Sequence, residues 1–70
     1  MREISFTIHG VDRKGAENLF LDWCKQWGLE YEGGQAGILQ RFSYRTHNRA
    51  FLYATEKPCV YKVVLRLWNN

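Results

Sequence analysis

The chain reads as an α+β domain, a two-layer sandwich with one helix packed on a mostly antiparallel four-stranded sheet. Three observations predict this. The opening stretch "REISFTIH" alternates apolar and polar residues with the period of a half-buried strand. The stretch "DRKGAENLFLDWCKQWGL" carries its apolar residues at helical spacing. After a glycine-rich interruption, three further alternating runs follow one another closely enough to form a meander. The predicted order is strand, helix, then three strands, in a single domain over 1–70.

In the first strand Ile4, Phe6 and Ile8 point one way, and Glu3, Ser5, Thr7 and His9 the other; Gly10 ends it. Asp12 is the candidate N-cap of the helix. Ala16, Leu19, Phe20, Trp23, Cys24 and Trp27 form its apolar face, which places both tryptophans against the sheet. Gly28 suits the left-handed conformation after the last turn, with Leu29 folding back as the hydrophobic contact. "EYEGGQAG" (30–37), with three glycines, reads as a flexible loop. Residues 38–46 form the next strand, with Ile38, Phe42 and Tyr44 on the helix side and Leu39, Arg41, Ser43 and Arg45 on the outer side. "HN" is the tight turn, since Asn48 tolerates positive φ. Residues 49–55 place Phe51 and Tyr53 inward and Leu52 outward, and "EKP" breaks the sheet. The last strand, 59–68, turns Tyr61, Val63, Leu65 and Leu67 inward and Val60, Lys62, Val64, Arg66 and Trp68 outward.

A chain of 70 residues buries only about 60% of its extended surface, so its core must be dense. Four Phe, four Tyr and three Trp supply large buried areas, and 46% hydrophobic content argues against disorder. The N-terminal stretch has no apolar signal-peptide core, and no long apolar run follows. Two cysteines, Cys24 and Cys59, make no disulfide framework. These features lead us to expect a reduced, cytoplasmic protein. The net charge of +3 is unevenly spread: residues 1–32 hold four bases and six acids, residues 33–70 six bases and one acid. The basic second half suits a polyanion or an acidic protein surface.

The segment "RFSYRTHNRAFLY" (41–53) holds three arginines, a histidine and four rings, with no acid. In the alternation given above, its rings face the helix and Arg41 and Arg45 face out. The outer face then combines arginines and lysine with Leu39, Leu52, Val60, Val64 and Trp68. Apolar groups rimmed by arginine mark an interaction surface. The expected site is therefore Arg41, Arg45, Arg49, Lys62, Arg66 and Trp68, taking nucleic acid or an acidic protein surface. Val60, Val64 and Trp68 form a candidate homodimer seam. Arg13 and Lys14 flank the helix start, whose free N–H groups make a second candidate anion site.

Part of this segment, "RAFLYA" (49–54), resembles the aromatic third-strand motif of the RNA-recognition fold. It departs from that motif at Ala50 and Leu52, which stand where glycines are usual. The interval from Ala54 to Cys59 is also too short for that fold's second helix. His9, Cys24, His47 and Cys59 lack the close pairs of a structural zinc site, so no metal or other cofactor is expected. Ser43 has no spaced His and Asp partners for a nucleophilic triad. The reading that follows is a small non-enzymatic binding protein, in its leading version binding nucleic acid. The alternatives are a protein-binding inhibitor or adaptor, of the accessory type carried by phages and mobile elements, and a small metal-independent ribonuclease using His47, Arg45, Arg49 and Glu56.

Overall fold

The computed structural model describes residues 1–68. It contains one helix against a five-stranded antiparallel sheet. In chain order the elements are β1 (Arg2–His9), α1 (Arg13–Gln26), β2 (Tyr31–Gln35), β3 (Ile38–Phe42), β4 (Arg49–Ala54) and β5 (Val60–Leu67). The sheet order is β1-β5-β4-β3-β2, so β1 and β2 are the two edges and β2 to β5 form a meander that returns beside β1. The two-layer α+β expectation holds, with five strands instead of four.

The extra strand is the stretch expected to be a loop. Its glycines carry no side-chain alternation, but the register of β2 on β3 runs unbroken from Tyr31 opposite Phe42 to Gln35 opposite Ile38. Ala36 and Gly37 make the two-residue connection, with Gly37 at φ +82. Gly34 is required for a different reason. It sits at φ +133, and a Cβ there would collide with the Ile38 carbonyl oxygen. Of the glycines that mimic a loop, Gly34 lets two backbones approach closely.

Helix α1 begins where expected. Asp12 is extended and its carboxylate accepts from the Gly15 N–H at 2.7 Å. It ends in a Schellman turn: Leu29 N–H donates to the Cys24 carbonyl at 2.9 Å and Gly28 N–H to the Lys25 carbonyl at 3.2 Å, with Gly28 at φ +75. Leu29 folds back and is buried. The start of α1 lies beside Leu39, Leu52, Ala54 and Tyr61, and its end beside Arg41 and the turn after β3. The helix packs along β4, the central strand of the sheet.

The core joins Ala16, Phe20, Cys24 and Leu29 to Ile8, Ala50, Leu52, Val63 and Leu65. This set corrects the faces expected for two strands. In register, Ala50 lies between Arg41 and Leu65, and Leu52 between Leu39 and Val63. Leu39, Arg41, Ala50 and Leu52 therefore face the helix, and Ile38, Phe42, Phe51 and Tyr53 face away. Ala16 and Ala50 are both fully buried. With α1 along β4, small side chains there permit close packing where rings would hold the layers apart. The inward sets expected for β1 and β5 hold.

The segment 43–48 is a turn, not the end of a strand. His47 N–H donates to the Ser43 carbonyl at 2.9 Å and Ser43 N–H to the Asn48 carbonyl at 3.1 Å. His47, at φ +61, takes the left-handed position expected of Asn48. Of the two tryptophans, Trp23 meets the Phe6 ring edge-on at 5.4 Å, whereas Trp27 leans on Trp23 at 6.3 Å and stays 37% exposed. Phe20, 0% exposed, is the central buried ring.

Phe20→Ala is expected to cost about 3–5 kcal/mol, a large part of the stability of so small a domain, and Trp27→Ala less than half of that. Urea unfolding followed by circular dichroism measures both. Gly34→Ala is expected to cost about 1–3 kcal/mol through its positive φ and the collision with Ile38. Its effect should appear first as lost hydrogen-exchange protection in the β2–β3 hairpin.

Candidate binding face

Among the described residues nothing covers the face of the sheet opposite α1. Its rings and cations occupy alternate positions on neighbouring strands, so the ladder brings them together. Arg49 is opposite Phe42 across β4 and β3, and its guanidinium carbon lies 5.3 Å from the centre of that ring. Val64 is opposite Phe51 across β5 and β4, and Arg66, two residues on, places its guanidinium 5.1 Å from the Phe51 ring centre. Tyr53 stacks beside Phe51 at 6.0 Å and 22°. Tyr31 lies 5.7 Å from Phe42, and Tyr44 lies 4.4 Å from Tyr31 and 5.1 Å from Phe42. Two arginine-capped ring clusters thus share one surface, and each cation sits against the negative face of a π system. Phe42, Phe51 and Tyr53 are half-buried by this mutual packing, and Tyr44 is 65% exposed.

Charge is segregated with the rings. The strands present Arg49, Lys62 and Arg66 on this face and one acid, Glu3, which accepts from Arg66 Nε at 3.0 Å. That ion pair is exposed and adds little stability. The remaining acids lie elsewhere. Glu17 and Asp22 are on α1, Asp12 and Glu30 beside its ends, Glu32 on the helix side of β2, and Glu56 in the β4–β5 loop.

The expected site residues divide accordingly. Arg49, Lys62 and Arg66 are on the open face. Trp68, 51% exposed, lies at its end, where it lines a shallow pocket with His47 and Arg49; its backbone N–H donates to Asn48 Oδ1 at 2.9 Å. Arg41, expected here, faces the helix. Its Nη2 donates to the Leu29 carbonyl at 3.4 Å, and its Nε is buried without a partner among the described residues. Arg45 is in the turn on the helix side, near Trp27 and Glu30. Leu39 and Leu52, also expected outside, belong to the inner layer. Of the candidate dimer seam, Val60 and Val64 are on the open face with Trp68, but Val64 is 7% exposed in the single chain.

Sequence reasoning missed Tyr31, Phe42, Tyr44, Phe51 and Tyr53 as surface groups. Both alternating sets of "RAFLYA" contain apolar residues, so hydrophobic periodicity did not choose between them. The i, i+2 ring pair Phe51 and Tyr53 was the available signal.

At the helix start, Asp12 already accepts the Gly15 N–H, and Arg13 pairs with Glu17 at 3.2 Å. Lys14 is exposed. The ribonuclease set is not assembled: His47 precedes β4 and Glu56 follows it, which separates them by about 20 Å of strand. Among the described residues no three or more His, Cys, Asp or Glu side chains are grouped to hold a metal ion. No described helix is long and apolar enough to cross a membrane.

Cys24 is buried behind Arg41, and Cys59 is exposed. Burial pushes the Cys24 thiol from 9.0 up to about 12, with the Arg41 guanidinium pulling weakly the other way. A folded pKa raised above the unfolded one stabilises the fold fully below about pH 9. That contribution is lost as pH rises from about 9 towards about 12, because the unfolded chain releases the proton first. At neutral pH an aromatic disulfide reagent is therefore expected to titrate Cys59 rapidly and Cys24 only after denaturation. Rapid reaction of two thiols in the folded protein would contradict the burial of Cys24.

Compared with family models, curated proteins and solved structures, the chain finds no match.

Proposed function

We propose that the open sheet face binds single-stranded nucleic acid. The observation that carries this is the pair of arginine-capped ring clusters, Phe42 under Arg49 and Phe51 under Arg66, on one uncovered face. Tyr31 and Tyr44, exposed beside the capped rings, and Trp68 at the end of the face offer π faces to bases, which is a sequence-tolerant way to hold a strand. The arginines over those rings keep further N–H donors with which to meet phosphates, beyond the Arg66 Nε that donates to Glu3. A duplex keeps its base faces stacked inside, so rings of this kind favour a strand whose bases are free. Glu3 is the one acid that the strands present on the face and is paired with Arg66, so a polyanion meets little repulsion there.

A protein partner is less well served. The apolar centre such a partner would use includes Val64, which the chain's own neighbours already bury. The ring pair Phe51 and Tyr53 in "RAFLYA" points outward, the direction that stacking needs.

Anisotropy of a labelled mixed-sequence 12-nucleotide strand, as DNA and as RNA, tests the reading over a range of salt. Affinity is expected to fall with salt, with a log–log slope of roughly −0.7 for each phosphate contact. Arg49→Ala and Arg66→Ala should each flatten that slope by one contact. Phe51→Ala should weaken binding by about 1–3 kcal/mol with the slope kept, because stacking is not ionic. Arg41→Lys, on the helix side, should leave both unchanged. Absence of binding at low salt, or binding indifferent to Phe51, Arg49 and Arg66, would reject the proposal.

A further inference from the structure

We propose that β1 is the seam of a homodimer, in which it pairs antiparallel with the β1 of a second copy in a register centred on Phe6. This rests on the edges of the sheet and is independent of nucleic-acid binding.

The two edges differ. β2 is short, holds Gly33 and Gly34 and carries Glu32, all of which discourage further pairing. β1 is eight residues long and its register on β5 is continuous, without a bulge. From Ile4 to Ile8 it has no charge, proline or glycine. It therefore lacks the devices that protect an exposed edge.

Its free backbone groups can be assigned. The Gly10 N–H donates to the Cys59 carbonyl at 2.9 Å, and these two residues continue the β1–β5 register beyond His9 and Val60. Antiparallel ladders alternate, so the even-numbered residues of β1 bond to β5. The N–H and C=O groups of Glu3, Ser5, Thr7 and His9 then point out of the sheet edge. A two-fold axis through Phe6, perpendicular to the sheet, pairs Ser5 with Thr7 and Glu3 with His9 of the second copy. All four outward residues of each chain then sit in hydrogen-bonded pairs.

The side chains match in this register. On the open face, hydroxyl meets hydroxyl at Ser5 and Thr7, and the Glu3 carboxylate meets the His9 ring. On the helix face Ile4 lies opposite Ile8, and Phe6 lies opposite Phe6. A register centred on Ser5 would instead set Arg2 against Ile8 and leave Glu3 opposite Thr7.

The helix side of β1 is unfinished in a single chain. Ile4 and Phe6 point to the core layer yet remain 37% exposed, because α1 packs along β4, two strands from β1, and Trp23 reaches across to Phe6. A second copy covers both side chains without moving either helix. It also makes one ten-stranded sheet whose open faces lie on the same side. The self-complementary pairing of Ile4 with Ile8 and Glu3 with His9 favours a second copy over an unrelated strand.

Light scattering of the intact chain across concentration tests this, with twice the chain mass expected. Ser5→Pro removes an outward N–H and leaves the bonds to β5 intact. Ser5→Lys with Thr7→Lys sets like charges opposite each other across the seam. Each variant should weaken dimerisation by roughly 100-fold or more with unchanged circular dichroism. If Ser5→Pro fails to fold, the lysine pair and cross-linking decide. In a Cys59→Ser background, a Ser5→Cys chain mixed with a Thr7→Cys chain should oxidise to a mixed disulfide dimer, and neither chain alone should cross-link. Facing residues of a hydrogen-bonded pair are about 5.5 Å apart at Cα, within disulfide reach. A wild-type chain that stays monomeric to about 1 mM, far above ordinary dimer affinities, overturns the proposal. So does a dimer that survives the lysine pair, or one in which Ser5→Cys cross-links only to itself.

Discussion

One helix cannot cover five strands, and most features of this protein follow from that mismatch. A five-stranded sheet is about 19 Å wide, whereas a helix with its side chains is about 10–12 Å across. Helix α1 lies along β4, and the dense core forms beneath it from Phe20, Cys24, Ala50, Leu52, Val63 and Leu65. Beyond that strip the inner side of β1 is only partly covered, and the whole opposite face of the sheet is open. Among the described residues no second layer covers the sheet, and its apolar surface is packed by other means.

On the open face those means are the rings themselves. Phe42, Tyr44 and Tyr31 cluster on one side, and Phe51 and Tyr53 stack on the other, with Arg49 and Arg66 laid across them. Each guanidinium shields a ring from water and keeps a charged edge in solvent. The arrangement lets a sheet with apolar residues on both faces remain folded with one face bare. It also makes a surface that is aromatic and positive together, the combination on which the nucleic-acid reading rests.

The inner layer resolves its own mismatch with small residues. Ala16 on the helix and Ala50 on β4 let the layers approach, while Arg41 extends towards the helix end and reaches the Leu29 carbonyl left by the Schellman turn. This placement removes Arg41 from the open face and sets its charge near the buried Cys24 thiol. An arginine that reads as a surface cation in the sequence is thus part of the inner layer, with its Nε buried.

Local chemistry was legible wherever a single residue type has one conformational use. Asp12 as cap, Gly28 as the left-handed terminator, the inward sets of β1 and β5 and the apolar stripe of α1 could be read directly, because each depends on neighbours within a turn or on a one-sided alternation. The faces of β3 and β4 could not. Leu39 and Leu52 compete there with Phe42 and Phe51, and a shift of one residue exchanges the two sets. Only pairing with Val63 and Leu65, together with the narrow space under α1, decides for the smaller side chains. The glycines of β2 are the same case, since a strand without side-chain alternation shows itself only through its partner, and Gly34 is explained only by the Ile38 carbonyl beside it. The sequence alone therefore determined the class of fold, the helix and the basic character of the second half. Tertiary pairing decided which rings and which arginines meet the solvent, because that choice depends on contacts between residues far apart in the chain.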